Sequence, residues 1–337
     1  MDGSSHGYPN GGPQAPALSV VIAVVEGKEP LRSCLESLLP QIARADAEVI
    51  VPLDSWIAEV EGLAAEFPGV RFHRIPDAGD GSAGRPGKET HRVYDRRRAV
   101  GLGLARGAVV ALITDLAIPA PDWCDRVRRV HDELPYAVVG GAIENGTDHP
   151  TAWALHYSLF GSYARVRPRG RASYVSDVNV SYKRRALEAV AATWQDGYDE
   201  TTTHWALESR GEVLFFDPKL VVLMRRPTLT LVGALRKRIV VGRDFAATRR
   251  AAMRPWRSAA YALSTPALPA VLLVRLLREM ARDGWSLSGM ARVVPPALAL
   301  SVGCAVGELA GAVAGFAGRP PRSRRVRSPL SVWPGHT

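Results

Sequence analysis

Short apolar runs recur along the first third of the chain, each closed by a turn signal and separated by stretches with helical spacing. Leu18 to Val25 (LSVVIAVV) is continuous and β-branched, and reads as a strand. Pro30 then opens a segment in which Leu31, Cys34, Leu35, Leu38 and Leu39 share one helical face, ending near Pro40-Gln41. Glu48 to Leu53 (EVIVPL) is a second strand, a helix is expected through Leu63, and Val70 to Ile75 is a short third strand. The segment from Asp77 to His91 is rich in Gly, Asp and Lys and reads as a long loop. A helix around Arg98 then leads to a tight turn at Gly107 and to the apolar strand Ala108 to Ile113. That strand stops at Thr114-Asp115, and Pro119 and Pro121 forbid its continuation as helix or ladder. Runs this short, bounded by turns, suit strands buried on both faces of a parallel sheet. Their alternation with helices predicts a doubly wound, mostly parallel α/β sheet.

Each of the three main strands ends at an acid: Glu26, Asp54 and Asp115. Ligands of open α/β sheets sit just beyond the carboxyl ends of the strands, so this edge is a candidate for receiving hydroxyls, a base or a metal-bound phosphate. Any one of these acids alone reads equally well as a helix cap or a loop aspartate. No GxGxxG follows the first strand and no GxxxxGK[ST] occurs, so the phosphate cradles of a dinucleotide site or a P-loop are missing.

The last quarter changes character. Val293 to Gly318 is apolar except for Glu308 and long enough to cross a hydrocarbon layer of about 30 Å. Ala259 to Val274 is a shorter apolar stretch broken by Pro266 and Pro269. Arg-rich flanks at 243–257 and 319–327 place both ends on the cytoplasmic face of the plasma membrane. Arg275, Arg278 and Arg282 oppose a clean hairpin, so interfacial helices are the alternative, and an Ala-rich soluble helical domain is the other. A net charge of +10 and 47% hydrophobic residues fit an anionic membrane surface and phosphorylated substrates. The basic clusters Lys183 to Arg185 and Arg236 to Arg238 have little aromatic interleaving, so no nucleic-acid partner is expected. Cys34, Cys124 and Cys304 show no CxxC spacing, which argues against a disulfide framework and a structural zinc site. The expected organisation is a disordered Gly/Pro/Ser-rich leader (1–17), an α/β domain (18–250), a helical membrane-associated segment (251–318) and a basic disordered tail (319–337).

Three stretches together, LSVVIAVVEGKEPLRSCLESLLPQ, AEVIVPLDS and RRRAVGLGLARGAVVALITDLAIPAPDW, resemble the nucleotide-binding half of family 2 glycosyltransferases of the GT-A fold. SDVNVSYKRRAL resembles that family's acceptor-side segment, and GYDETTTHWALESRGEVLFFDP the stretch with its catalytic acid pair. LRKRIVVGRDFAATRR looks like the basic helix of its non-processive members, and the likeness extends over about Leu18 to Arg250. The resemblance implies an inverting transferase that moves a sugar from a nucleotide-sugar donor to a glycan, lipid-linked or small-molecule acceptor. It matches Glu26 and Asp54 to contacts with base and ribose, Arg98 to a donor-facing helix, and Asp115 to the first acid of a DxD that holds Mg²⁺ or Mn²⁺. Glu200, just after Asp199, falls at the general-base position.

The chain departs from that pattern in three places. The turn after the first strand lacks the family's Pro and Tyr/Asn, the base position carries Glu instead of Asp, and the second acid of the DxD is replaced by Ala117. Arg98 and its neighbours could then neutralise the leaving group in place of the metal. A catalytically degenerate scaffold on the same fold is the alternative function. In the acceptor-like segments, Asp177 and Asn179 are candidates to bond sugar hydroxyls, His204 lies one turn past Glu200, and Trp205 could stack on a sugar ring. The run Arg96-Arg97-Arg98 otherwise reads as a solvated helix face, with only Arg98 supported by the resemblance.

Overall fold

The computed structural model describes residues 15–76, 91–252 and 263–317. The leader up to residue 14, the loop from 77 to 90 and the tail from 318 lie outside the described residues, as do positions 253–262. The chain forms two compact units, one from residues 1–146 and 163–225 and the other from 147–162 and 226–337. The boundary expected at residue 250 thus falls earlier, and a segment from the middle of the chain joins the C-terminal helices.

In the first unit the apolar runs become strands as their pattern demands. In chain order its elements begin β1 (Leu18–Ala23), α1 (Lys28–Ile42), β2 (Ala47–Leu53), a 3₁₀ stretch with α2 (Leu63–Glu66), and β3 (Val70–Arg74). They continue with α3 (His91–Leu104), β4 (Val109–Thr114), β5 (Ala117–Pro119), α4 (Trp123–Glu133) and β6 (Val138–Asn145). After α5 (Pro150–Phe160), which belongs to the other unit, come β7 (Gly170–Arg171), β8 (Asn179–Lys183), α6 (Arg184–Ala189), α7 (Glu200–Ser209) and β9 (Leu214–Met224). The described strands make one sheet in the order β3-β2-β1-β4-β8-β6-β9-β5, with β7 also on β9. The neighbours β3, β2, β1 and β4 are mutually parallel, as the alternation predicts. Beyond them β8 is inserted antiparallel between β4 and β6, which the first-third pattern does not foretell.

Every residue of β1 and β4 is buried, because helices cover both sides of the sheet. On one side Val21, Ile50, Leu112, Val180 and Tyr182 pack with Ala99 and Leu102 of α3 and Leu207 of α7. Gly101 makes this approach possible, since a Cβ there would stand 2.2 Å from Val21 Cγ1. Elsewhere in the sheet unit the polar Gln41 of α1 donates to Ala120 O and accepts from Cys124 N, tying α1 to the start of α4.

The second unit is helical: α5, α8 (Leu231–Ala252), α9 (Leu268–Arg282) and α10 (Leu287–Ala317). Ala154 and Tyr157 of α5, Leu276 and Met280 of α9, and Val293, Ala297 and Leu300 of α10 form its core. Tyr157 Oη donates to Asp283 at 2.9 Å, and Trp153 meets Trp285 edge-on. The apolar run expected from Val293 starts helically six residues sooner and carries Pro295 and Pro296 inside the helix. Among the described residues one stretch, Leu287 to Ala312, is long and apolar enough to cross a bilayer, and half of its most apolar 18-residue window is buried within the protein.

Candidate functional site

At the carboxyl edge of the parallel strands, Asp115 is fully buried just after β4. Its Oδ1 accepts from Val25 N at 2.9 Å, and Oδ2 from Glu26 N at 2.8 Å and Gly27 N at 3.0 Å. The carboxylate therefore stitches the β1–α1 loop to the end of β4. Burial pushes its pKa up to about 6, against the pull of the three N–H donors. Glu26 is exposed in that loop, with its backbone held by Asp115.

The next layer is set by α3, and it corrects the expectation of a solvated Arg run. Arg97 is fully buried and grips Asp54 in a bidentate pair, with Nε and Nη2 each 2.8 Å from a carboxylate oxygen. Its Nη1 also donates to Val24 O. Arg98, one position on and so turned by about 100° around the helix, faces a different group: Nη2 lies 2.8 Å from Asp177 Oδ2 and Nη1 3.5 Å from Asp95 Oδ1. Among the described residues its buried Nε has no hydrogen-bond partner. Arg96 donates to Pro76 O at 2.7 Å.

Around Arg98 three acids gather. Asp177 N donates to Glu200 Oε2 at 3.2 Å, and Glu200 occupies the first position of α7. Asp199 is the N-cap of that helix, its carboxylate accepting from Thr202 N at 2.7 Å. Burial, followed by the adjacent Asp177 charge, holds the Glu200 carboxyl well above its usual range. Burial likewise pushes Asp95 up to about 7, partly countered by Arg98. Burial disfavours the Arg98 cation, but Asp177, Tyr198, Asp95 and Glu200 outweigh it and keep the guanidinium charged. One guanidinium does not balance three carboxylates. Arg98 pairs directly with Asp177, and burial beside that carboxylate sets Glu200 apart as the acid held highest above its usual range.

A second polar chain lies behind this cluster. Tyr182 Oη is 2.6 Å from Tyr198 Oη and 2.8 Å from His204 Nε2, all three buried. Burial lowers His204 to about 4, so it is neutral and internal, and the acceptor role expected of it is corrected to support of α7 against β8. Asn179 is corrected for the same kind of reason. Val180 and Tyr182 face α3 and α7, so strand alternation turns Asn179 to the other side of β8. There its Nδ2 donates to Ala142 O and Leu220 O, and its Oδ1 accepts from Trp123 Nε1. Trp205 is half-buried on α7. Lys183 and Arg184 cap carbonyls of Leu134, Ala105 and Arg106.

The two-carboxylate cation site implied by the resemblance does not fit these residues. Asp115 is closed off by three backbone donors, and Ala117 is paired to Met224 in β5. Among the described residues no three His, Cys, Asp or Glu side chains stand together as metal ligands. The groups that sequence reasoning passed over are Arg97, Asp95 and the Tyr182–Tyr198 pair. The Asp95–Arg98 spacing of three residues was the visible signal for one of them.

No family model matches the chain, and no curated protein matches it. Among solved structures, a mannosyltransferase from Pyrobaculum calidifontis in complex with GDP-Man and Mn²⁺ is similar over 88% of each chain, at 17% identity and a TM-score of 0.49. A likeness of that size assigns neither a fold family nor a ligand to this chain.

Proposed function

We propose that the chain is an inverting glycosyltransferase of the GT-A fold, using a nucleotide-sugar donor and a hydroxyl acceptor. One observation carries the reading. Consecutive arginines of α3 join the strand-end edge, through Arg97 to Asp54, to the carboxyl pair Asp177–Glu200, through Arg98. An edge suited to a nucleotide and a proton acceptor are thereby held by one helix turn.

In this reading the donor lies along the ends of β1, β2 and β4. Glu200 takes the proton of the acceptor hydroxyl as that oxygen bonds to the anomeric carbon. The bond from that carbon to the diphosphate breaks on the opposite face, and the nucleoside diphosphate leaves with the electron pair. Direct displacement inverts the anomeric centre. Burial, with the adjacent Asp177 charge, raises the Glu200 pKa above the usual carboxylate range, which makes the ionised carboxylate a stronger proton acceptor. The test is turnover of GDP-, UDP- and dTDP-sugars by the wild-type chain and by Glu200→Gln. Loss of turnover with donor binding retained supports the assignment, and unchanged turnover removes Glu200 from the mechanism.

The sequestered Asp115 and the alanine at 117 favour a second reading, a binding scaffold on a decayed transferase fold. That reading predicts no turnover of any nucleotide sugar by the wild-type chain.

A further inference from the structure

We infer that the helical unit docks on an anionic lipid surface through the exposed face of α10, with that helix lying along the surface and not across the bilayer. Three observations converge, none of which depends on the proposed transferase chemistry.

The first is charge. By sequence, the helical unit carries 18 Lys and Arg against 5 Asp and Glu, whereas the sheet unit carries 25 against 28. All of the chain's net positive charge therefore resides in the helical unit, which makes that unit complementary to phosphate-bearing headgroups.

The second is an uncovered apolar stripe. Leu298, Val302, Val306 and Leu309 recur at intervals of four, four and three residues, so they share one face of α10, and each is 43–50% exposed. Phosphate backbones of nucleic acid give such a stripe nothing to bind, while the acyl boundary of a leaflet does.

The third decides between lying on the bilayer and crossing it. The opposite face of α10 is stitched to α8. Gly303 abuts Leu235, Gly307 abuts Ile239 and Gly311 abuts Arg243, so the two helices run parallel in register. A Cβ at Gly307 would stand 2.1 Å from Ile239 O. Any path that carries α10 through the hydrocarbon carries α8 with it. Over that same length α8 exposes Arg236, Lys237 and Arg243 to its surroundings. Cations at the middle of a bilayer are expensive, whereas beside an in-plane helix they meet the headgroups.

The experiment is flotation of the full chain with phosphatidylcholine vesicles, with and without phosphatidylglycerol. The expected result is at least about tenfold stronger binding to the anionic vesicles, weakened by salt and released by alkaline carbonate. Val302→Asp/Val306→Asp alters exposed positions and is expected to keep the wild-type melting curve while losing about tenfold in vesicle binding. Should that variant fold poorly, Arg236→Glu/Lys237→Glu provides the second reading, with a smaller loss and a shallower salt dependence. Any of four results overturns the inference: no flotation with either vesicle, resistance to carbonate, equal binding by both variants and wild type, or a stable dimer that the Val302→Asp/Val306→Asp change dissolves. Duplex DNA that displaces the chain from vesicles while the valine variant still binds would assign the charge to nucleic acid instead.

Discussion

The strand-end edge and the α7 cluster of the sheet unit both bury carboxylates, but they treat them in opposite ways. At the edge Asp54 and Asp115 are each met by several donors, Asp54 by the fork of Arg97 and Asp115 by three backbone N–H groups. Around Arg98 the ratio is reversed, with Asp95, Asp177 and Glu200 sharing one guanidinium. Compensated acids hold geometry, and crowded acids exchange protons. In the proposed reading, that difference gives positioning to Asp54 and Asp115 and chemistry to Glu200.

The sharpest break in this comparison is Glu200→Gln. The amide oxygen still accepts from Asp177 N, so the fold is expected to persist, while turnover falls about 10²–10⁴-fold, the usual contribution of a general base. A steady-state assay on the responding nucleotide sugar checks it. Asp115→Ala should act on the other side of the comparison. It removes the acceptor of three backbone donors and is expected to cost about 2–4 kcal/mol in urea unfolding. A loss under about 0.5 kcal/mol would mean that the β1–α1 loop is held by other contacts.

A subtler effect is expected from Asp177→Asn. Removing the like charge beside Glu200 lowers the pKa of the base, so the rising limb of the pH–rate profile moves to lower pH. A limb that stays in place would separate the two carboxyls. The smallest effect concerns stability. Asp95 titrates higher in the folded chain than in the unfolded one, so the folded state holds its proton more tightly. Stability from this group is present at low pH and is lost as pH rises towards and through about 7. Asp95→Asn should remove that loss and gain about 1 kcal/mol over wild type at pH 8, after discounting for its partial exposure. Equal pH dependence of the two melting curves would contradict it.

The parallel half of the sheet was legible because β1, β2 and β4 are apolar runs of a length that only a doubly covered sheet accommodates. The insertion of β8 between β4 and β6 was not, since an antiparallel neighbour leaves no mark on the pattern of the strand it joins. The same limit explains Asn179, whose residue type suits a ligand contact as well as a buried tie. Only its register on β4 settles which side it faces. Asp115 was found as a strand-end acid, but its donors lie 88–90 residues away and are backbone groups that sequence does not distinguish. Arg97 and Arg98 were read as one charge run, although neighbouring positions on a helix address different surroundings. In the helical unit the apolar run of α10 was plain, and the recruitment of α5 into its core was not.

Donor binding by wild type and Asp115→Asn, measured calorimetrically with GDP-, UDP- and dTDP-sugars in Mn²⁺ and in EDTA, tests the division of roles most directly. The account predicts that one nucleotide class binds the wild-type chain, that EDTA leaves this binding in place, and that Asp115→Asn weakens it in proportion to lost stability. Binding that requires Mn²⁺ and loses that requirement in Asp115→Asn would place the carboxylate on a cation and contradict the positioning role.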